Sequence, residues 1–328
     1  MTGGEMDRTP VPVGAERAAV EADYEALRRG GGAHRLERDV LVVAGPEAEG
    51  YLQGQLSQDV AGMAPGDARD ALLLEPDGKL CALLRVTALG ERGYALDVDA
   101  GHGEAVAARL RRFRLRTKVE IEPVPWPCVA LRGPGAAAAV TAGEPGAHGP
   151  WVLAVAWHGV AGVDVLGPGA EAAVGPAARW CGPAAWEALR IEAGIPAMGR
   201  ELDAKTIAAE AGLVERAVSL TKGCFTGQEL VARLDARGNR VARHLRGLVV
   251  AEDGGGDAGP ATLASGTELV GPGGDKVVGR CTSAVWCPGL GRVAGLGYVH
   301  RSVDVPGAVA LGAPGGPRVE VRALPLVG

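Results

Sequence analysis

A pattern that occurs twice narrows the folds open to this chain more than any other feature in it. Residues 39–48 read DVLVVAGPEA and residues 128–137 read CVALRGPGAA. Each is a short apolar run stopped by Gly-Pro, which reads as a strand that ends where proline has no N–H to continue a ladder. After the first copy, Tyr51, Leu52, Gln55 and Leu56 follow at helical spacing. After the second, an Ala-rich stretch predicts a helix in the same place. A hairpin comes next in each half, over residues 71–97 and 151–166, and then another helical stretch. Strand, helix and hairpin repeated within one chain predict two related α+β lobes.

From Leu245 the pattern changes to short apolar runs cut by Gly and Pro, as in LRGLVV, GTELVG, KVVGRCTSAVW and AGLGYVH. Short strands with regular turn signals predict a small closed or partly closed β domain, and the Gly-rich residues 252–260 read as a loop within or just before it. The expected division is a flexible N-terminal segment over 1–34, the two lobes over 35–240, and the β domain over 241–328. At 328 residues there is room for two or three cores. The first twenty residues carry acids and two prolines where a secretory leader has a basic start and an apolar run. No window approaches the ~18 continuous apolar residues of a span. A monomeric cytoplasmic protein without a membrane partner is the expectation.

The formal charge is −5, from 34 basic and 39 acidic residues. Neutralising phosphates needs a basic surface, so tight direct binding of nucleic acid is not expected. The basic stretch LRRFRLRTK at 110–118 reads as a solvated helix end running into a strand rather than an anion-binding face. Six cysteines contain no CxxC, and Cys281 and Cys287 have no histidine between them. Zinc spacing is absent, so no metal is expected.

Cys224 differs from the other five. In SLTKGCFTGQEL, residues 219–230, Thr226 and Glu229 fit a T-x-x-E capping box, with Thr226 as N-cap of the helical run LVARL. Cys224 then precedes a helix start, where free N–H groups favour an anion, and Lys222 adds positive charge. A reactive or ligand-facing thiol is weighed here against a small buried cysteine. A second stretch, PAAWEALRIEAG at 183–194, reads as a helix with Pro183 in its first turn, Gly194 just past its end, and Trp186, Leu189 and Ala193 on one face. Glu192 in its last turn meets the negative end of the helix dipole. It can offset that cost by accepting two parallel hydrogen bonds from a flat donor edge, or by pairing with Arg190 or Arg200.

These residues carry a resemblance. RIEAGIPAMGREL, AVSLTKGCFTGQELVAR and VGRCTSAVWCPGLGRVAGLGYV, with YLQGQLSQDV nearer the start, resemble signature stretches of the folate-binding YgfZ-type proteins. Those belong to the superfamily of the glycine-cleavage T-protein, an aminomethyltransferase. KGCFTGQE is specific to the subgroup, whereas RIEAG is shared across the superfamily. The resemblance implies an α+β fold, a three-domain ring of two interleaved ferredoxin-like lobes and a C-terminal β-barrel around a folate channel. It implies tetrahydrofolate, or a one-carbon derivative of it, as cofactor. Glu192 would hold the pterin edge, Arg190, Lys222, Gln228 and Arg233 would complete the folate site, and Cys224 would be the functional thiol facing the channel.

The function so implied is an accessory role in assembling or repairing iron–sulfur enzymes, tRNA-modifying ones among them, with those enzymes or cluster carriers as partners. Two readings stand beside it, a folate-dependent one-carbon transferase or demethylase and a plain interaction scaffold. Two departures from the superfamily bear on the choice. Gly78-Lys79 is followed by LCALLRVT, without the aspartate that aminomethyltransferases use in catalysis, which counts against their chemistry. Ala208 stands where related sequences often have proline.

Overall fold

The computed structural model describes residues 12–141, 149–155, 157–251, 263–272, 274 and 276–327. The Gly-rich stretch 252–260 and residues 1–11 lie outside them. The chain opens with helix α1 (Gly14–Arg29), strands β1 (Gly32–Leu36) and β2 (Arg38–Ala44), and helix α2 (Ala48–Gln55). Strands β3 (Ala68–Leu74), β4 (Leu80–Ala88) and β5 (Tyr94–Asp99) form a meander that leads to helix α3 (Gly103–Arg114) and strand β6 (Glu120–Val124). Next come β7 (Cys128–Arg132), β8 (Trp151–Ala154), β9 (Gly162–Leu166) and β10 (Arg179–Trp180), then helices α4 (Pro183–Glu192), α5 (Val214–Ala217) and α6 (Gln228–Asp235). The last six strands are β11 (Arg243–Val250), β12 (Glu268–Val270), β13 (Val277–Cys287), β14 (Arg292–His300), β15 (Gly307–Leu311) and β16 (Arg318–Arg322).

One five-stranded sheet has the order β10-β1-β7-β9-β8 and the other β3-β4-β5-β2-β6. The chain therefore starts in the first sheet, leaves it after β1 to build the whole of the second, and returns. The two lobes are interleaved, and the last six strands close into a barrel in the order β11-β14-β13-β12-β15-β16. The repeated Gly-Pro has a common steric origin. Gly45 has φ +121 and an added Cβ would lie 2.5 Å from the carbonyl oxygen of Lys118; Gly133 has φ +99 and the same atom would lie 2.3 Å from that of Gly30. Only glycine fits either corner.

Two expectations fail. The Ala-rich stretch after Gly133-Pro134 forms a single 3-10 turn, Ala137–Ala139, not a helix. Its alanines bring little apolar area with which to hold a longer one against the sheet. The N-terminal segment is not flexible throughout, because α1 packs on α4 and β1 and buries Tyr24 and Leu27. Burying a leucine such as Leu27 contributes about 1.5–3 kcal/mol toward holding the helix in place.

Helix α4 follows its sequence signals closely. Pro183 occupies the first position, where a missing N–H is harmless. Its end is a Schellman motif, with Ile195 N–H donating to Arg190 O and Gly194 N–H to Ile191 O, both 3.0 Å.

The two sheets meet across an apolar cluster that includes Val40 and Ala95 on one side and Cys128, Leu153 and Leu166 on the other. Beside it Arg85 of β4 donates through Nε to Asp97 of its own sheet (2.9 Å) and through Nη1 to Asp164 of the other (2.6 Å). Arg132 of β7 shares Asp164 at 2.7 Å, and Arg38 of β2 shares Asp97. Burial alone would raise the Asp164 carboxyl, but Arg132 and Arg85 hold it below the usual carboxylate range. Removing one partner of such a buried network strands the others. Arg85→Ala is expected to lower stability by about 3–5 kcal/mol in urea unfolding. A loss under about 1 kcal/mol would show that water, not Arg85, satisfies the two aspartates.

Candidate functional site

A cavity of about 420 Å³ lies where the two sheets, α4 and α5 converge. One part of its wall is aromatic. Trp186 of α4 stacks on His34 at 5.0 Å between ring centroids and meets Trp157, from the β8–β9 connection, at 5.1 Å. The Arg132 guanidinium lies over both indoles, at 4.6 and 5.0 Å from their rings. Its Nη1 is bonded to Asp164 and to backbone carbonyls, yet its buried Nε has no partner among the described residues. The remaining wall carries Arg38, Arg69, Arg85, Arg190 and Arg216 with the carboxylates Asp70, Asp99 and Asp164. Each of those carboxylates is paired: Asp70 with Arg216, Asp99 with Arg38, Asp164 with Arg85 and Arg132.

Of the residues expected in the site, Arg190 alone lines this cavity. It is 5% exposed and held by Glu187, by Glu201 at 2.9 Å and by Ser283 at 3.0 Å, which ties α4 to the barrel. Glu192 points elsewhere. Its carboxylate is fully buried and accepts hydrogen bonds from the Tyr24 hydroxyl of α1 and from Gly289 N–H (3.1 Å) in the β13–β14 turn. Burial raises its carboxyl above the usual 4.5, with Tyr24, Gly289, Arg28 and Cys287 acting in the other direction. Neither Arg190 nor Arg200 is its partner; both bind Glu187.

The KGCFTGQE stretch departs from its reading as well. Helix α6 begins at Gln228, its N-cap is Gly227 in the left-handed region, and no side chain caps it. Thr226 N–H instead donates to Gly54 O (3.0 Å), and Gln228 Oε1 accepts from Phe225 N–H (3.1 Å). The stretch is therefore fastened to the end of α2, and Thr226 is not the cap of the helix. Lys222 makes the fastening firm: its Nζ donates to Gln53 O, Leu56 O and Gln58 O at 2.7, 2.8 and 2.7 Å. All three ammonium protons are spent on carbonyls rather than on a thiolate. Burial pulls Lys222 down to about 8. Cys224 is exposed, as is Arg233, and neither they nor Lys222 and Gln228 line the cavity.

Residues that do line it left a signal in the sequence. Arg85 in LCALLRVT, Arg132 in CVALR and Asp164 in GVDVL are charges set inside apolar strands. A charge in that setting is buried with a partner or faces a cavity.

Relatives agree with this architecture. An aminomethyltransferase from Rubrobacter xylanophilus is 31% identical over 317 residues, 88% of this chain and 81% of the relative. The chain belongs to the aminomethyltransferase family. A shorter match, to the aminomethyltransferase of Corynebacterium jeikeium, is 33% identical over 133 residues, 40% of this chain and 32% of that one. The crystal structure of glycine cleavage system aminomethyltransferase T from Bartonella henselae superposes with a TM-score of 0.80 at 23% identity, over 98% of this chain and 92% of that chain. That likeness shows the fold. No protein-family model matches the chain. Among the described residues no helix is long and apolar enough to cross a membrane.

The aminomethyltransferase fold is kept, while the segment after Gly78 differs from the pattern the resemblance implies. Leu74 pairs with Leu80 and Leu73 with Ala82, so Cys81 is the extra residue of a bulge at the start of this carboxylate-free strand. Burial pushes that thiol up to about 11, and pushes Cys128 to about 12, Cys181 to about 11 and Cys281 to about 12. Cys224, by contrast, faces solvent. Alkylation of the native protein at pH 8, followed by peptide mapping, is expected to modify Cys224 first; equal rates at Cys81 would contradict this placement.

Glu192 yields a pH test. A carboxyl raised in the native state holds its proton more tightly there, so the stability it contributes is full below about pH 4.5 and is lost as pH rises through the raised native value. Glu192→Gln removes that titration. The stability of the wild type relative to this variant is expected to fall with rising pH across that window, and a flat difference would show that burial does not govern Glu192.

Proposed function

We propose that this chain binds a reduced folate in the cavity and acts as a folate-dependent one-carbon protein, a transferase or demethylase of the aminomethyltransferase kind. The observation that carries the reading is the Trp157–Trp186 pair beside Arg132, whose Nη2 makes no hydrogen bond among the described residues. A flat heteroaromatic ring gains from stacking on indole, and its ring nitrogens and oxygens accept from a buried guanidinium. A cavity of about 420 Å³ is within the ordinary range for small-molecule sites. These residues fit tetrahydrofolate, which when bound supplies the nitrogens that carry a one-carbon unit.

The protein's own part is positional and electrostatic. Trp157, Trp186 and Arg132 would hold the ring, and the apolar side chains of Leu36, Leu83 and Ile195 would exclude water from it. Asp99 is the most exposed of the three lining carboxylates. Its side chain is 36% exposed, and its oxygens accept from Arg38 and from Met198 N–H, leaving lone pairs open.

A second reading is the accessory role in iron–sulfur enzyme support, in the manner of the YgfZ-type proteins. It is favoured by Cys224, an exposed thiol on a stretch that Lys222 fastens to α2, and by the absence of an unpaired carboxylate from the cavity wall among the described residues. In that reading iron–sulfur enzymes or cluster carriers are the partners and folate is bound without turnover.

Tryptophan fluorescence titration with tetrahydrofolate, followed by a single-turnover one-carbon transfer assay, decides between them. Saturable quenching with transfer is expected, and Trp186→Ala is expected to weaken binding by about 1–3 kcal/mol, the range for stacking a flat base on an aromatic side chain. Binding without transfer, together with loss of iron–sulfur enzyme activity in cells carrying Cys224→Ser, moves the conclusion to the accessory role. No quenching at any folate concentration rejects both.

A further inference from the structure

The cavity wall carries six guanidinium groups, and five of them face a carboxylate. Arg38 faces Asp97 and Asp99, Arg85 faces Asp97 and Asp164, and Arg132 faces Asp164. Arg190 faces Glu187 and Glu201, and Arg216 faces Asp70. Arg69 is the exception. Among the described residues it makes one hydrogen bond, from Nη1 to the backbone carbonyl of Asp59 (2.7 Å), and no ion pair. A half-buried guanidinium with one neutral acceptor keeps most of its donors for something else.

Arg216 is close to the same position. It binds Asp70, the next residue to Arg69 in β3, through Nε alone, so both of its Nη nitrogens have no partner among the described residues. Gln58 completes this part of the wall and donates to Asp70 O at 3.4 Å. The nearby carboxylates are already engaged: Asp70 by Arg216, and Asp59 by Gln53 Nε2 (2.8 Å) and Ala61 N–H (3.2 Å). The group therefore presents forked donors on the edge strand β3 and on α5, whereas the indoles come from α4 and the β8–β9 connection.

We infer that Arg69 and Arg216 form a subsite for the carboxylate-bearing arm of the ligand, which for a folate is the glutamyl arm. The inference rests on the folate reading above and adds to it which feature of the ligand is selected. Two guanidinium forks match carboxylates bidentately, and Arg69 keeps donors that no carboxylate among the described residues takes. The indole face then accepts any flat pterin, and the arginine pair requires the arm. A pterin without an arm binds with the forks left in water.

The test compares tetrahydrofolate with tetrahydropteroate, which has the same rings and lacks the glutamyl group, by calorimetry on the wild type, Arg69→Gln and Arg69→Lys. A charge-assisted pair implies that the wild type prefers tetrahydrofolate by about tenfold or more. Arg69→Gln is expected to reduce that preference to about twofold and leave tetrahydropteroate affinity unchanged, with partial recovery in Arg69→Lys. Equal wild-type affinities, or a preference that survives Arg69→Gln, overturn the inference. Should neither ligand bind, the folate reading fails, and γ-glutamylglutamate alone decides the subsite. Protection of Arg69 from phenylglyoxal by that dipeptide upholds an arm-binding subsite, and unprotected modification overturns it.

Discussion

Arg85 sits where two sheets meet, and most of what is particular to this molecule depends on how its charge is met. The guanidinium is shared between Asp97 of its own sheet and Asp164 of the other, so neither lobe satisfies its buried charges alone. Burial would pull Arg85 down, and the two aspartates reverse that and hold it well up. An apolar contact of the same area tolerates sliding, whereas a hydrogen-bonded ion network has one geometry. The network thus fixes the register between the lobes. The cavity is the space left beside it, and four of its arginines belong to this array or to the analogous pairing around Arg190.

The repeated Gly-Pro, the helix at 183–194 and the change of pattern after Leu245 were legible because each is a local signal with a local cause: a corner that admits only glycine, a proline first turn, short strands between turns. The interleaving was not legible from periodicity, since β1 and β2 are neighbours in sequence and look alike; the resemblance to a known superfamily supplied it. What decides their separation is which strands they later meet. The site was less legible than the fold. Glu192 reads as an uncompensated carboxylate at a helix end, and it is compensated, but by Tyr24 from a segment with no visible tie to it. Lys222 reads as a charge beside a thiol, and its ammonium is consumed by three carbonyls of a turn more than 160 positions earlier in the chain. Pairings of that range have no periodicity to betray them.

The motifs that carry the resemblance meet the cavity in only part of their length, at Gln58, Arg190 and residues 195–197. RIEAG supplies Arg190 to the cavity wall and Glu192 to the joint between α1, α4 and the barrel. KGCFTGQE fastens the end of α2 and leaves its thiol in water. Motifs of this kind combine residues that hold the ring of domains together with residues that face a ligand, and only the three-dimensional neighbours separate the two. The apolar strands that contribute Arg85, Arg132 and Asp164 carry no comparable signature, although they place three of the nine charged groups that line the cavity.

The placement of β1 has a consequence for how the chain is made. Gly32 of β1 pairs with Arg132 of β7 and also with Arg179 of β10. At ~5–20 residues per second, β1 leaves the ribosome roughly 5–20 s before its first partner exists, while the whole β3-β4-β5-β2-β6 sheet is completed in between. The lobe begun first is finished second. Until then β1 is an unpaired strand joined to a growing sheet by the single residue Glu37, between Leu36 and Arg38. A nascent chain of this design is exposed to wrong pairing for longest at its own beginning, and its lobes cannot be separated by cutting the chain at any one point.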